Sequence, residues 1–199
     1  LVWPSSLLGA LFLCQVRIKE GYMREIFFSS SRVLTYIIKR CYLKNYPINQ
    51  AKAQRLLYCS YGSVMALFDM RLTDERPITW EAGPIFPRAL FDHMHHQLNF
   101  ADPQNPLEQN LCQPAILYVI DQTVDNFGAM AAEELTEFLT APGTPWYEVS
   151  NKGEDLGIIM NDELIRKYFA EHVVNPEAYC GPTMEIAISP NEPRESIWA

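Results

Sequence analysis

The hydrophobic residues of this chain recur at intervals of three and four, which is the spacing of an amphipathic helix. The pattern is longest after Asn49, a residue type that caps helix N-termini, and it predicts a central helix of about twenty residues. Gly62 within this helix indicates a close crossing by another helix. Further helices are predicted from Ser31 as N-cap, from about Arg88, over 115–127, over 131–140, and from Asn161 or Asp162 towards His172. The sequence therefore predicts a mostly α-helical fold, a single compact multi-helix domain.

A different pattern interrupts the helices between residues 77 and 87. Gly83 tolerates backbone angles that other residues avoid, while Pro84 and Pro87 fix their own φ and push the preceding residue towards extended geometry. We expect a short β-ribbon or extended segment with a stiff turn, here named the Gly-Pro corner (residues 80–87). Trp80 is expected to anchor this corner on the helical core and to leave its backbone polar groups facing outward for a partner. A purely structural role is the alternative.

Three sequence motifs follow one another along the chain. The first is Gln54-Arg55-Leu56-Leu57-Tyr58-Cys59-Ser60-Tyr61-Gly62, the second consists of Trp80, Gly83, Pro84, Ile85 and Pro87, and the third of Leu135, Leu139-Thr140 and Pro145-Trp146. In this order they resemble the Panacea family, the SocA-like antitoxin domains that occur beside many toxins in bacteria and phages. The resemblance covers about residues 32–169. The chain departs from the family pattern at Ser63, Ala82 and Ala141.

The resemblance implies an antitoxin that neutralises a cognate toxin by direct protein–protein binding, and it implies that a neighbouring gene encodes this toxin. It also allows an adaptor that delivers a client protein to a protease. It implies a Panacea-like helical domain over 29–174, between an N-terminal extension (1–28) and a Pro-containing tail (175–199). The long polar connection 101–114 is expected to tune partner choice. The residues it assigns to the partner-binding or structural motif are Gln54, Leu57, Tyr58, Gly62, Trp80, Gly83, Pro84, Pro87, Pro145 and Trp146.

Charge and cysteine content narrow the class of protein. A net charge of -8 and a pI near 5.0 argue against nucleic-acid binding and suit a basic partner. The basic group Lys39, Arg40 and Lys44 matches the dipole at the end of the first helix. Five scattered cysteines without a C-x-x-C pair favour reduced thiols, hence a cytoplasmic protein. The apolar stretch 1–16 is too short to span a membrane and lacks a basic leader, so no membrane partner is expected. Residues 1–22 are interpreted as an upstream extension or a truncated start; if they belong to the protein, a membrane-associated leader is the alternative.

An enzyme with an unrecognised site is the third class considered. His93, His95 and His96 are a weak metal candidate, because consecutive helical positions diverge by about 100°. Acidic residues one turn apart or clustered on one helix are either a solvated face, an acid–base site or contacts for a basic partner; these are Asp121, Asp125, Glu133, Glu134 and Glu137. No hydrolase, zinc-protease or nucleotide-binding motif occurs, so no catalytic residue, metal or cofactor is predicted.

Overall fold

The computed structural model of the protein describes residues 28–95 and 113–182, and these are mostly helical. The helices are α1 (Ser30–Leu43), α2 (Gln50–Phe68), α3 (Pro87–Met94), α4 (Pro114–Phe127), α5 (Ala132–Thr140), α6 (Pro145–Val149), α7 (Asp162–His172) and a 3-10 turn (Pro176–Ala178). The predicted mostly α-helical domain is confirmed. Predictions for residues 1–27, for most of the 101–114 connection, for His96 and for the tail beyond residue 182 lie outside the described residues.

Helix α2 occupies the centre of the fold and packs against α1, α3, α4, α5 and α7. Every residue from Lys52 to Met65 is buried, so this helix has no solvent-facing side over four turns. Its N-terminus is capped as predicted, because the Asn49 side chain accepts the Lys52 N–H at 2.8 Å. A helix buried all round needs partners for its polar side chains as well as for its apolar ones.

The predicted N-cap of α1 is wrong. The helix begins at Ser30, and the preceding Ser29 makes no side-chain capping bond. The hydroxyls of Ser30 and Ser31 donate instead to Glu75 and Asp92, which belong to the connection before α3 and to α3 itself. Distant carboxylates thus compete successfully with local capping for these serines.

Glu75 also closes the beginning of α3. Its carboxylate accepts the backbone N–H groups of Arg88 at 3.0 Å and Ala89 at 3.1 Å. Pro87 at the first helical position has no N–H to satisfy, and Phe86 makes no side-chain cap. A single carboxylate therefore joins the beginnings of α1 and α3.

The acidic residues of α4 pair with basic residues at the end of α1, although Asp125 is exposed. Asp121 forms an ion pair with Arg40, with 2.7 Å between Arg40 Nε and Asp121 Oδ1, and accepts a hydrogen bond from the Tyr36 hydroxyl at 3.0 Å. Asp125 pairs with Lys44. Burial raises the pKa of Asp121, although Tyr36 and Arg40 oppose the shift. The basic end of α1 is thus bound to α4, which sequence spacing alone did not reveal, and these two carboxylates are already occupied within the chain.

The beginning of the described structure, at Phe28, and the residues that follow α7 both pack against the helical core. Phe28 exchanges backbone hydrogen bonds with the segment after α2, from its N–H to the Leu72 carbonyl and from the Asp74 N–H to its own carbonyl. Beyond α7, the ring of Tyr179 packs edge-on against Phe68 and Tyr118. The first part of the predicted tail, up to residue 182, therefore contacts the helices.

The close crossing predicted at Gly62 is confirmed. A Cβ added there would lie 2.5 Å from ring atoms of Phe169, which is fully buried on α7. The same ring meets Tyr58 edge-to-face with 5.6 Å between centroids. The absence of a side chain at position 62 lets α7 approach α2 closely enough to bury this aromatic pair.

Replacing Gly62 with Ala is expected to destabilise the fold because the new methyl group would overlap the Phe169 ring. Overpacking costs about 1–3 kcal/mol, and the better helix propensity of Ala offsets at most about 1 kcal/mol of it. Urea unfolding of Gly62→Ala should therefore give a lower midpoint than the wild type.

The Phe169→Leu background supplies the control. Leu removes the ring atoms that would meet the added methyl group, so Gly62→Ala should cost less free energy of unfolding in that background. An equal cost in both backgrounds would contradict the steric explanation.

Candidate partner-binding surface

The Gly-Pro corner is the end of a narrow β-ribbon. Ile78 and Ile85 exchange two backbone hydrogen bonds of 2.9 and 3.0 Å, and the Gly83 N–H donates to the Trp80 carbonyl at 3.0 Å. Gly83 has a φ of +109°, a conformation that other residues rarely adopt. The extended segment predicted for residues 77–87 is confirmed as isolated bridges, with a tight turn over residues 80–83.

Two buried polar side chains of α2 hold this corner. Gln54 Oε1 accepts the Phe86 N–H at 2.8 Å, and Arg55 Nη2 donates to the Ala82 carbonyl. Arg55 Nε also faces Thr136 Oγ1 at 3.4 Å. Burial lowers the pKa of Arg55 to about 10, so its guanidinium remains charged near neutral pH. These backbone groups of the corner turn inward, contrary to the expectation that they would face a partner.

Trp146, and not Trp80, anchors the corner. Trp80 is 48% exposed, whereas Trp146 at the start of α6 is 6% exposed and donates its Nε1–H to the Trp80 carbonyl at 3.1 Å. The site beneath the corner is thus filled by the indole from α6, which leaves the ring of Trp80 on the outside. The expected core anchor is therefore an accessible aromatic side chain.

Most other residues of the predicted motif are structural. Leu57, Tyr58 and Gly62 are buried in α2, and Pro84 is buried within the corner. Pro145 is buried at the first position of α6, where the fixed φ of proline suits a helix start. Pro87 occupies the same position of α3 and is exposed. Of the ten predicted residues, only Trp80 and Pro87 are accessible to a partner.

A second segment that the sequence reading missed lies beside the corner. The Thr79 N–H donates to the Ile158 carbonyl at 2.9 Å, and the Thr79 side chain accepts the Ile158 N–H at 3.0 Å. Two further bonds, from Gly157 N to the Thr79 carbonyl and from Met160 N to the Pro77 carbonyl, extend this pairing. The run Leu156-Gly157-Ile158-Ile159-Met160 is a strand-like signal that could have indicated it.

This pairing places four large apolar side chains at the surface. Their exposed fractions are 48% for Trp80, 37% for Leu156, 46% for Ile158 and 59% for Ile159. We call these four residues the apolar surface. Exposed groups of large apolar residues are typical of interaction sites, whereas single ones are common on any protein.

Acidic residues border the apolar surface. Glu81 follows Trp80 in the turn, and Glu154 and Asp155 directly precede Leu156; all three are exposed. Lys152 is the nearest basic residue along this segment. An apolar centre with a charged rim is the usual anatomy of a protein–protein interface, and the sign of this rim suits a basic partner.

A cleft of about 250 Å³ lies at the start of α7. Its arginines and carboxylates partner one another: Asp162 accepts from Arg71 at 2.6 Å and from Arg76 at 3.0 Å, while Arg166 pairs with Glu163. The Tyr61 hydroxyl also donates to Asp162, and burial together with this carboxylate raises the pKa of Tyr61. The cleft thus holds mutually neutralised groups.

The structure gives the surroundings of the described histidines and cysteines, which are the candidates for metal binding and thiol chemistry. Among the described residues, no group of three or more His, Cys, Asp or Glu side chains is arranged to hold a metal ion. His95 stacks on Phe91 at the end of α3. Cys41 and Cys59 are buried, and burial raises their thiol pKa values to about 11 and about 12, while Cys180 is exposed.

Comparisons of the chain with known protein families, curated proteins and solved structures found no match. The likeness to Panacea antitoxin domains therefore rests on the residues quoted from the sequence. Within the two described ranges, no helix combines the length and the apolar character needed to cross a membrane.

The role of Gln54 as a support for the corner can be tested with Gln54→Leu. The buried Phe86 N–H would lose its acceptor, and an unsatisfied buried donor costs about 1–3 kcal/mol. Urea unfolding should show a loss of stability in this range.

Gln122→Leu is the matched control, since Gln122 is half-buried on α4. Substitutions away from buried hydrogen bonds usually change stability by no more than about 0.5 kcal/mol. Equal losses in the two variants would argue against a special role for Gln54.

Proposed function

We propose that this protein is an antitoxin-type protein that neutralises a cognate toxin by direct protein–protein binding. The observation that carries the proposal is the apolar surface of Trp80, Leu156, Ile158 and Ile159. Trp80 lies on the hydrogen-bonded corner, the other three lie on the segment that pairs with Thr79, and exposed acids border the surface. Large apolar residues on a rigid support bind with little loss of conformational entropy. In this proposal the toxin is a cytoplasmic protein encoded by a neighbouring gene.

The resemblance to Panacea domains gains a physical rationale from the structure. Its first two motifs lie about thirty residues apart in sequence, yet Gln54 and Arg55 bind the backbone of the Gly-Pro corner directly. A helix carrying these polar residues and a turn with these backbone groups form one structural unit. The co-occurrence of the two motifs supports the family assignment, and the accessible Trp80 gives that unit an exposed side chain for a partner.

Charge supports a basic partner. The chain has a net charge of -8, and Glu81, Glu154 and Asp155 border the apolar surface. Opposite charge around an interface raises the association rate, while the buried apolar anchors supply most of the affinity. A toxin with a basic active-site surface is the partner that this arrangement suits.

Trp80→Ala is the first test. It should weaken neutralisation and raise the Kd of the complex by about tenfold or more, because an aromatic residue at the centre of an interface commonly contributes over 1 kcal/mol. The unfolding midpoint should change little, since the ring is half-exposed and the Trp80 carbonyl remains available to Trp146. Growth rescue with the product of the neighbouring gene and calorimetry of the purified pair measure the two effects.

Phe91→Ala is the control variant. Phe91 is 53% exposed on α3 and lies outside the apolar surface, so its truncation should leave neutralisation intact. Unchanged affinity in Trp80→Ala would refute the proposed surface. Rescue accompanied by rapid proteolysis of the partner would identify an adaptor instead, and a harmless neighbour that does not co-purify would remove the support for an antitoxin.

A further inference from the structure

The backbone of Ile159 forms an open edge of the β-ribbon. Ile159 stands opposite Ile78 as an antiparallel bridge, and the hydrogen bonds of this pairing come from the residues on either side. In such a pair the two facing residues direct their own N–H and C=O groups away from each other. The N–H and C=O groups of Ile78 bind Ile85, whereas the N–H and C=O groups of Ile159 make no hydrogen bond within the described ranges. One donor and one acceptor are therefore presented outward.

In the part of the chain that the structure describes, this edge lacks the usual protection against pairing. Natural sheet edges carry Lys, Pro or a covering segment that discourages the addition of another strand. The run from Leu156 to Met160 contains neither Lys nor Pro, and Ile159 is 59% exposed. The side chains of an extended segment alternate between its two faces, so Ile158 and Ile159 point to opposite faces. A strand added at this edge could contact both.

Charge determines which strand fits. Glu154 and Asp155 are exposed and lie just before this edge in sequence. Glu81 is also exposed and is brought near the edge because Thr79 pairs with Ile158. A second copy of the chain would bring the same carboxylates towards one another, which is unfavourable for a protein with a net charge of -8. An extended segment rich in Lys or Arg would instead place its charges against them.

We propose that the Ile159 edge binds an extended basic segment of the partner protein, which adds to the ribbon as a further strand. The Ile159 N–H and C=O supply the main-chain hydrogen bonds, Ile158, Ile159 and Trp80 contact the apolar side chains of the segment, and the acids bind its cations. This inference rests on the proposed function, because it specifies how the toxin chain engages the apolar surface.

Amide hydrogen exchange on the full chain tests the edge without a toxin. The probe is a synthetic peptide of alternating Lys and Val, and its matched control alternates Glu and Val. The Ile159 amide should exchange rapidly in the free protein and slow by about tenfold or more with the Lys-Val peptide, since a new hydrogen bond must open before exchange. No slowing, or equal slowing by the Glu-Val peptide, would overturn the proposal. Slow exchange that appears with protein concentration alone would identify a second copy as the occupant and would also overturn it.

Two variants isolate the backbone contribution. Ile159→Ala shortens the side chain and keeps the N–H, whereas Ile159→Pro removes the N–H, which makes no hydrogen bond to any residue of 28–95 or 113–182. The Kd for the Lys-Val peptide should be about tenfold higher in Ile159→Pro than in Ile159→Ala. Equal affinities in two variants with native unfolding midpoints would contradict strand addition.

The product of the neighbouring gene separates this inference from the proposed function. If it is neutralised while the Ile159 amide in the complex still exchanges rapidly, the antitoxin function stands and the edge proposal fails. If the Lys-Val peptide protects Ile159 but the neighbouring product is neither bound nor neutralised, the edge stands and the assigned function fails.

Discussion

The burial of two polar side chains on α2, Gln54 and Arg55, is the constraint on which the rest of the arrangement depends. Burying an amide or guanidinium group without a hydrogen-bond partner would cost on the order of several kcal/mol, as it does for other polar groups in an apolar interior. The backbone of the Gly-Pro corner supplies a donor for the Gln54 side-chain oxygen, the Phe86 N–H, and an acceptor for Arg55, the Ala82 carbonyl. Because the corner must lie over α2 to do so, its outer side, including the ring of Trp80, has a fixed position on the surface.

That fixed position determines where the neighbouring segments can pair. Thr79 is buried beside the corner and binds the chain around Ile158 through both its backbone and its hydroxyl. Trp146 adds a bond from α6 to the Trp80 carbonyl. The apolar surface is thus built from two parts of the chain that are distant in sequence, each held by hydrogen bonds to buried groups. Neither part would be placed there by its own local preferences.

Local chemistry explains why much of the helical fold was predictable. Asn49 and Asn161 are strong N-caps, and both accept the expected backbone N–H groups. Gly62 marked the helix crossing because only a residue without a side chain allows such close approach. The start of α1 was misplaced because distant carboxylates bind the hydroxyls of Ser30 and Ser31. Capping rules describe neighbours in sequence and do not include such contacts.

The candidate site was less predictable for the same reason. The sequence shows two tryptophans, but the choice of Trp146 for the space beneath the corner depends on packing between residues 66 positions apart. The exposure of Ile158 and Ile159 follows from pairing with a segment 79 positions away. Periodicity assigned the run after Asp155 no role, since five residues are too few to distinguish a strand from a buried loop. The motif residues of α2 make internal contacts, and their role in partner binding stays a prediction.

The close contact between Gly62 and Phe169 has a consequence for how the free and bound proteins differ in resistance to proteases. Helix α7 follows directly after the segment that carries Ile158 and Ile159, and it is attached to α2 by this aromatic contact and by the hydrogen bond from Tyr61 to Asp162. A ligand that holds both that segment and the corner would suppress local unfolding of α7, because it binds only the state in which α7 is folded against α2. Under the proposed function, cleavage within α7 would report occupancy of the apolar surface, and the lifetime of the protein in the cell would depend on the supply of the toxin.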